Sequence, residues 1–190
     1  MVTWLGAASL ALAAMPDEAA VVSVAVHRVD DAMVIEASAL VLADPQTAWR
    51  VLTDYGRYAA FVPGLRSSHV LSREGPRLTV TQSGDASLWL LRMPFEITYH
   101  VTEFPPFRVE SNASSEALRQ FDSTYRLTPS SAGVRIDYVG HLAPRGTVIG
   151  RLEQWTARQS VLREFKALAE EIERVAATVP ATTDSRAQSR

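Results

Sequence analysis

The sequence predicts an α+β domain in which an antiparallel sheet, covered on one face, is followed by a long helix that supplies the cover. Two patterns carry this. Between Met33 and Leu142 apolar residues alternate with polar ones in strand after strand, which means a sheet with one buried and one wet face. From about 147 to 176 the apolar step changes to three and four residues, the period of an amphipathic helix. The bulk composition agrees: 190 residues with 47% apolar and 21% charged suit one globular domain with a sizeable core.

The elements follow in order. Val21 to His27 alternates weakly and ends at the Asp30-Asp31 turn. Met33 to Val41 then puts Met33, Ile35, Ala37, Ala39 and Val41 on one face. Asp44-Pro45 starts a short helix: Asp44 can cap it, and Pro45 sits where a missing N–H costs nothing. A second short helix runs from about Tyr55 to Phe61 and stops at Pro63-Gly64. Strands are expected at Ser68 to Arg73, Arg77 to Gly84, Ser87 to Arg92 and Phe95 to Glu103. Further strands are expected at Phe107 to Asn112, Arg119 to Thr128 and Val134 to Leu142. The long helix places Leu152, Trp155, Gln159, Leu162, Phe165, Ala169 and Ile172 on its inner stripe. Its polar side is Arg158, Arg163, Glu164, Glu170, Glu171 and Glu173, and at about 45 Å it can cross a whole sheet. Helices on one face of an antiparallel sheet make an α+β domain.

The expected organisation is a leader over 1–20, a domain over 21–176 and a polar, disordered tail over 177–190. Trp4 to Ala14 has the length of a signal-peptide core, with Ala11-Leu12-Ala13 as a cleavage pattern, but no Lys or Arg precedes it. It reads either as an export signal, placing the mature chain outside the cytoplasm, or as a loose N-terminal helix on a cytoplasmic protein. It is too short for a membrane span.

Several functions are excluded or disfavoured. No cysteine is present, which removes disulfides, thiolate catalysis and Cys-based zinc sites. His27, His69, His100 and His141 lack ligand spacing, so no metal is expected. There is no phosphate-binding glycine loop and no nucleophile elbow, so no cofactor is expected. A net charge of −2 gives no pull toward nucleic acid.

The run DPQTAWRVLTDYGRYAAFVPGLRSSHVL, Asp44 to Leu71, resembles the polyketide cyclase/dehydrase and coenzyme-Q-binding group of the START-like (SRPBCC) superfamily. The matching residues are Asp44, Pro45, Ala48, Trp49, Leu52, Asp54, Tyr55, Tyr58, Phe61 and Pro63. Phe104-Pro105-Pro106, Phe121-Asp122, Tyr125-Arg126-Leu127 and the terminal helix agree in kind, so the likeness spans roughly 33 to 176. It implies the helix-grip fold: a seven-stranded curved sheet around the terminal helix, with a cavity between them. The strand at Val21 to His27 is an addition to that pattern.

The candidate ligand-binding set is therefore Gln82, Phe95, Ile97, Tyr99, Phe121, Tyr125, Tyr138, Trp155, Gln159 and Leu162. Gln82, Tyr99, Tyr125, Tyr138 and Gln159 are polar groups in apolar stripes, and an apolar pocket with a few fixed polar contacts is the usual design for a greasy ligand. Each could instead bond to backbone or water within a filled core. Trp49 reads as core, Trp155 as cavity wall, and Trp89 as an outward group near the mouth that could touch a membrane transiently. Asp54 is expected to cap the second short helix rather than act as a base, and Arg66, Arg92 and Arg119 are scattered cations.

Binding of a lipid, quinone or polyketide-like molecule, as carrier or chaperone, is the favoured function. The alternatives are a cyclase/dehydrase-type enzyme using Tyr99, Tyr138 or Asp54, and a ribosome- or protein-interaction module. The residues do not determine ligand identity or oligomeric state.

Overall fold

The computed structural model describes residues 21–88, 91–113, 118–145 and 151–178. Eight antiparallel strands form one sheet: β1 Val21–Val29, β2 Ala32–Val41, β3 Leu65–Glu74, β4 Arg77–Leu88, β5 Leu91–Phe104, β6 Arg108–Ala113, β7 Leu118–Ser130 and β8 Gly133–Pro144. Their order across the sheet is β1-β2-β8-β7-β6-β5-β4-β3, so β1 and β3 are the edges. Between β2 and β3 lie helix α1, Pro45–Leu52, a 3₁₀ turn, Tyr55–Arg57, and helix α2, Tyr58–Phe61. Helix α3, Arg151–Thr178, closes the described chain. This is the helix-grip arrangement, with β1 added as an eighth strand.

Local chemistry explains the elements. The Asp44 carboxylate accepts from the Gln46 and Thr47 amides at 2.9 Å, satisfying two orphan donors of α1. Asp54 is a correction: it precedes the 3₁₀ turn without any side-chain capping bond. Register shifts in β3 and near the start of β7 are bulges, which bend strands and let a wide sheet curl. The separate strand expected at Ser87 to Arg92 does not exist. Leu88 pairs with Leu91, so that stretch belongs to the meeting ends of β4 and β5. The run carries no Gly, Pro or Asn to announce a reversal.

The core collects where α1 and the C-terminal half of α3 meet the sheet. Ala48, Leu52, Val41, Val134, Ile136 and Ile172 are fully or almost fully buried there. Helix α3 rests mainly on β1, β2 and α1 and reaches β4 more lightly. Its expected polar side is engaged rather than free. Arg158 Nε donates to the Val24 carbonyl on edge strand β1 at 2.9 Å. Glu173 accepts from the Leu42 amide at 3.0 Å. Glu171, buried, pairs with Arg57 of the 3₁₀ turn at 3.2 Å and with Arg174 at 2.7 Å. These contacts hold the helix to one side of the sheet.

Among the described residues no helix is long and apolar enough to cross a membrane. Ala177 and Thr178, expected in the tail, belong to α3; the leader, the rest of the tail, Trp89 and the side chains of Arg92 and Leu152 lie outside the described residues. Of the other two expected cations, Arg66 pairs with Asp85 at 2.8 Å and Arg119 with Asp31 at 2.6 Å.

Candidate functional site

Because α3 leans on β1 and β2, its N-terminal half leaves the concave face of β4, β5 and β7 uncovered. The gap is a cavity of about 1680 Å³. One wall is β5, whose pleat turns Phe95, Ile97, Tyr99 and Val101 inward. Val80 and Gln82 of β4, Phe121 and Tyr125 of β7, and Tyr138 of β8 continue it. Gln82 Nε2 donates to the Ser68 hydroxyl at 3.2 Å.

The deep end is aromatic. The Tyr125 and Phe165 rings stack 6.0 Å apart at 10°, and Tyr138 lies 4.7 Å from Tyr125. Tyr99 meets Phe121 edge-on at 5.6 Å. Gly140 makes this packing feasible, since a Cβ there would overlap the Tyr138 hydroxyl. The mouth lies at the strand ends beside the first turns of α3. Trp155 is 58% exposed there, and the exposed Arg66 pairs with Asp85 close by. Gly84 lets the chain after α2 come close, so that the Asp85 amide reaches the Gly64 carbonyl at 2.8 Å.

Nine of the ten sequence-predicted residues face this space: Gln82, Phe95, Ile97, Tyr99, Phe121, Tyr125, Tyr138, Trp155 and Gln159. Leu162 does not. It is half-buried against the core, because two helical steps turn it roughly 160° away from the cavity-facing direction of Glu164. Asp54 is exposed and does not line the cavity.

Glu164 is the residue that sequence reasoning missed. It belongs to the expected polar side, yet it lines the cavity with Ala157, Ser160, Val161 and Leu168. Glu164 is an exposed residue that solvent reaches through the cavity. Desolvation by the surrounding protein mass lifts its pKa from 4.5 to about 7, against a smaller downward pull from Arg163. Burial likewise raises the Tyr99, Tyr125 and Tyr138 phenols, and each also feels the Glu164 charge. All three therefore stay protonated at neutral pH. The available signal was the three- and four-residue spacing of Ala157, Ser160, Val161, Glu164 and Leu168, a second stripe beside the apolar one. Among the described residues no cluster of His, Asp and Glu could hold a metal ion.

The comparisons with known proteins agree with this geometry. No curated protein matches the sequence significantly. Among solved structures, a STAR-related lipid transfer protein from Xanthomonas axonopodis superposes with a TM-score of 0.67 at 18% identity, covering 84% of this chain and 96% of that one. The Zhui aromatase/cyclase from Streptomyces sp. R1128 gives 0.58 at 18% identity, over 75% and 94%. A START superfamily protein from Mycobacterium smegmatis gives 0.60 at 13%, over 75% and 98%. At these identities the likeness speaks for the fold. The family model described as polyketide cyclase / dehydrase and lipid transport matches residues 32–177, most of the chain, and the protein belongs to that family.

Proposed function

We propose that the protein binds a hydrophobic small molecule, of lipid, quinone or polyketide-like character, between sheet and terminal helix, and carries or shields it. The carrying observation is the cavity itself. The cavity opens at a mouth, so its roughly 1680 Å³ fills with water unless a ligand displaces it. The space must hold water or a ligand. Most of its lining residues are aromatic or aliphatic, with polar and charged side chains such as Gln82, Gln159 and Glu164 set among them, which suits an amphiphilic or largely apolar ligand. A ligand burying about 300 Å² of apolar surface gains roughly 7 kcal/mol before association costs. The lipid transfer protein and the aromatase/cyclase of the same fold fit a binding and a catalytic use of such a space.

Native mass spectrometry of the protein from its own host tests this reading. A co-purifying lipophile supports it. A ligand-free spectrum, together with no uptake of a neutral lipophilic fluorophore, refutes it. Cyclase or dehydrase chemistry is the second reading, favoured by one observation: a carboxyl, Glu164, lines the same cavity as Tyr99, Tyr125 and Tyr138. Turnover of a poly-β-keto substrate that survives Tyr138→Phe and Glu164→Gln removes both residues from such a mechanism.

A further inference from the structure

The two edges of the sheet are protected differently. A strand edge presents unpaired N–H and C=O groups on which another strand can pair, so natural edges carry charge, bulges or a cover. Edge β3 has charge and bulges: Arg66, His69, Arg73 and Glu74 lie along it, and its register slips between Leu65 and Ser67 and between Val70 and Ser72. Edge β1 has neither. From Val21 to Val26 it carries no ionisable side chain, and its register with β2 runs unbroken from Val21 to Val29. Val21 and Val29 are 73% and 51% exposed.

Only alternate residues of β1 face the free edge, and the turn tells which. Asp30-Asp31 joins β1 to β2, with Asp30 at a φ of 55°, as a two-residue hairpin turn. The pair that closes such a turn, Val29 and Ala32, exchanges hydrogen bonds, and so does every second pair behind it. Val22, Val24 and Val26 therefore turn their N–H and C=O groups away from β2. One of these groups is taken: Arg158 reaches across from α3, and its Nε donates to the Val24 carbonyl at 2.9 Å. Val24 is the middle residue of the outward set. Its own N–H and the outward groups of Val22 and Val26 have no partner among the described residues.

We infer that the β1 edge is a pairing surface for a second copy of this chain and that Arg158 holds it shut. The second copy is the occupant because the edge matches itself. Paired antiparallel about Ala25, two β1 strands set Val21 against Val29 and Val24 against Val26, and no like charges oppose each other. Such pairing requires the Val24 carbonyl to accept from the incoming strand, in the place that the guanidinium fills. The carbonyl gives up a charged donor for a neutral amide. A symmetric pair makes that exchange twice, so the intact protein disfavours it.

The test is sedimentation velocity of the full chain from about 1 µM to about 100 µM. The wild type is expected to stay monomeric. Arg158→Met keeps the apolar stem and is expected to dimerise with a dissociation constant roughly a hundredfold lower, about tenfold for each guanidinium contact that no longer has to be displaced. In that dimer the Val22, Val24 and Val26 amides should gain protection from hydrogen exchange. Adding Ala25→Lys, whose exposed side chain sets like charges face to face across the pair, is expected to restore the monomer. A monomeric Arg158→Met protein overturns the inference. So does a dimer that Ala25→Lys leaves intact, or one that leaves the three amides unprotected. The wild type gives a reading that needs no variant: its Arg158 Nε proton should exchange slowly while the Val22 and Val26 amides exchange fast. An Nε proton that exchanges as in free arginine, or a wild-type dimer with those amides protected, also overturns it.

Discussion

Replacing Glu164 by Gln should make the protein more stable than wild type in alkali and not in acid. In the folded chain the carboxyl holds its proton up to about 7, against an ordinary value of 4.5. As pH rises past the lower value the unfolded chain ionises first, so the unfolded state binds fewer protons and stability falls. Any benefit of the neutral group is fully present below about 4.5 and is lost as pH passes about 7. A rise from 4.5 to about 7 corresponds to roughly 3.4 kcal/mol as an upper bound. Water in the cavity screens the carboxylate, so about 1–2 kcal/mol is the expected net effect. Urea denaturation of both proteins at about pH 4 and about pH 8.5 measures it, since every other titrating group is common to the two and cancels. The mutant should gain about 1–2 kcal/mol relative to wild type between the two conditions. Parallel pH profiles would mean that the carboxyl is hydrated as in bulk water, and the enclosed cavity wall would be refuted at that position.

Phe165→Ala should cost about 3–5 kcal/mol in chemical denaturation, because a nearly buried ring stacked on Tyr125 is removed at the deep end of the cavity. Gly140→Ala should cost about 1–3 kcal/mol, since the new methyl overlaps the Tyr138 hydroxyl, and it should alter the near-ultraviolet circular dichroism of the tyrosine cluster. Asp44→Ala should lose about 1 kcal/mol with no change in ligand uptake, because it only uncaps α1.

Much of the fold was legible because local rules act on local residues. The pleat sends every second side chain to the same face, so Phe95, Ile97 and Tyr99 were assignable to the inner wall from alternation alone. The Asp44 cap needed only its own three-residue neighbourhood. The hairpin joining β4 and β5 was missed because its apolar ends, Leu88 and Leu91, carry no turn residue, and strand pairing is a non-local choice.

The sequence by itself determined which residues could share a face: period two for the sheet, period 3.6 for the helix. Only the tertiary structure decided what each face looks at. Periodicity sorts side chains by polarity and thereby assumes that polar means outward. A helix gripped by a sheet is enclosed on more than one side, and where the enclosure is hollow a carboxyl such as Glu164 can point inward. The depth of that hollow depends on where α3 leans, and this is settled by distant contacts such as Arg158 to Val24 and Glu171 to Arg57. No local pattern encodes those contacts, because their partners lie more than a hundred residues apart in the chain.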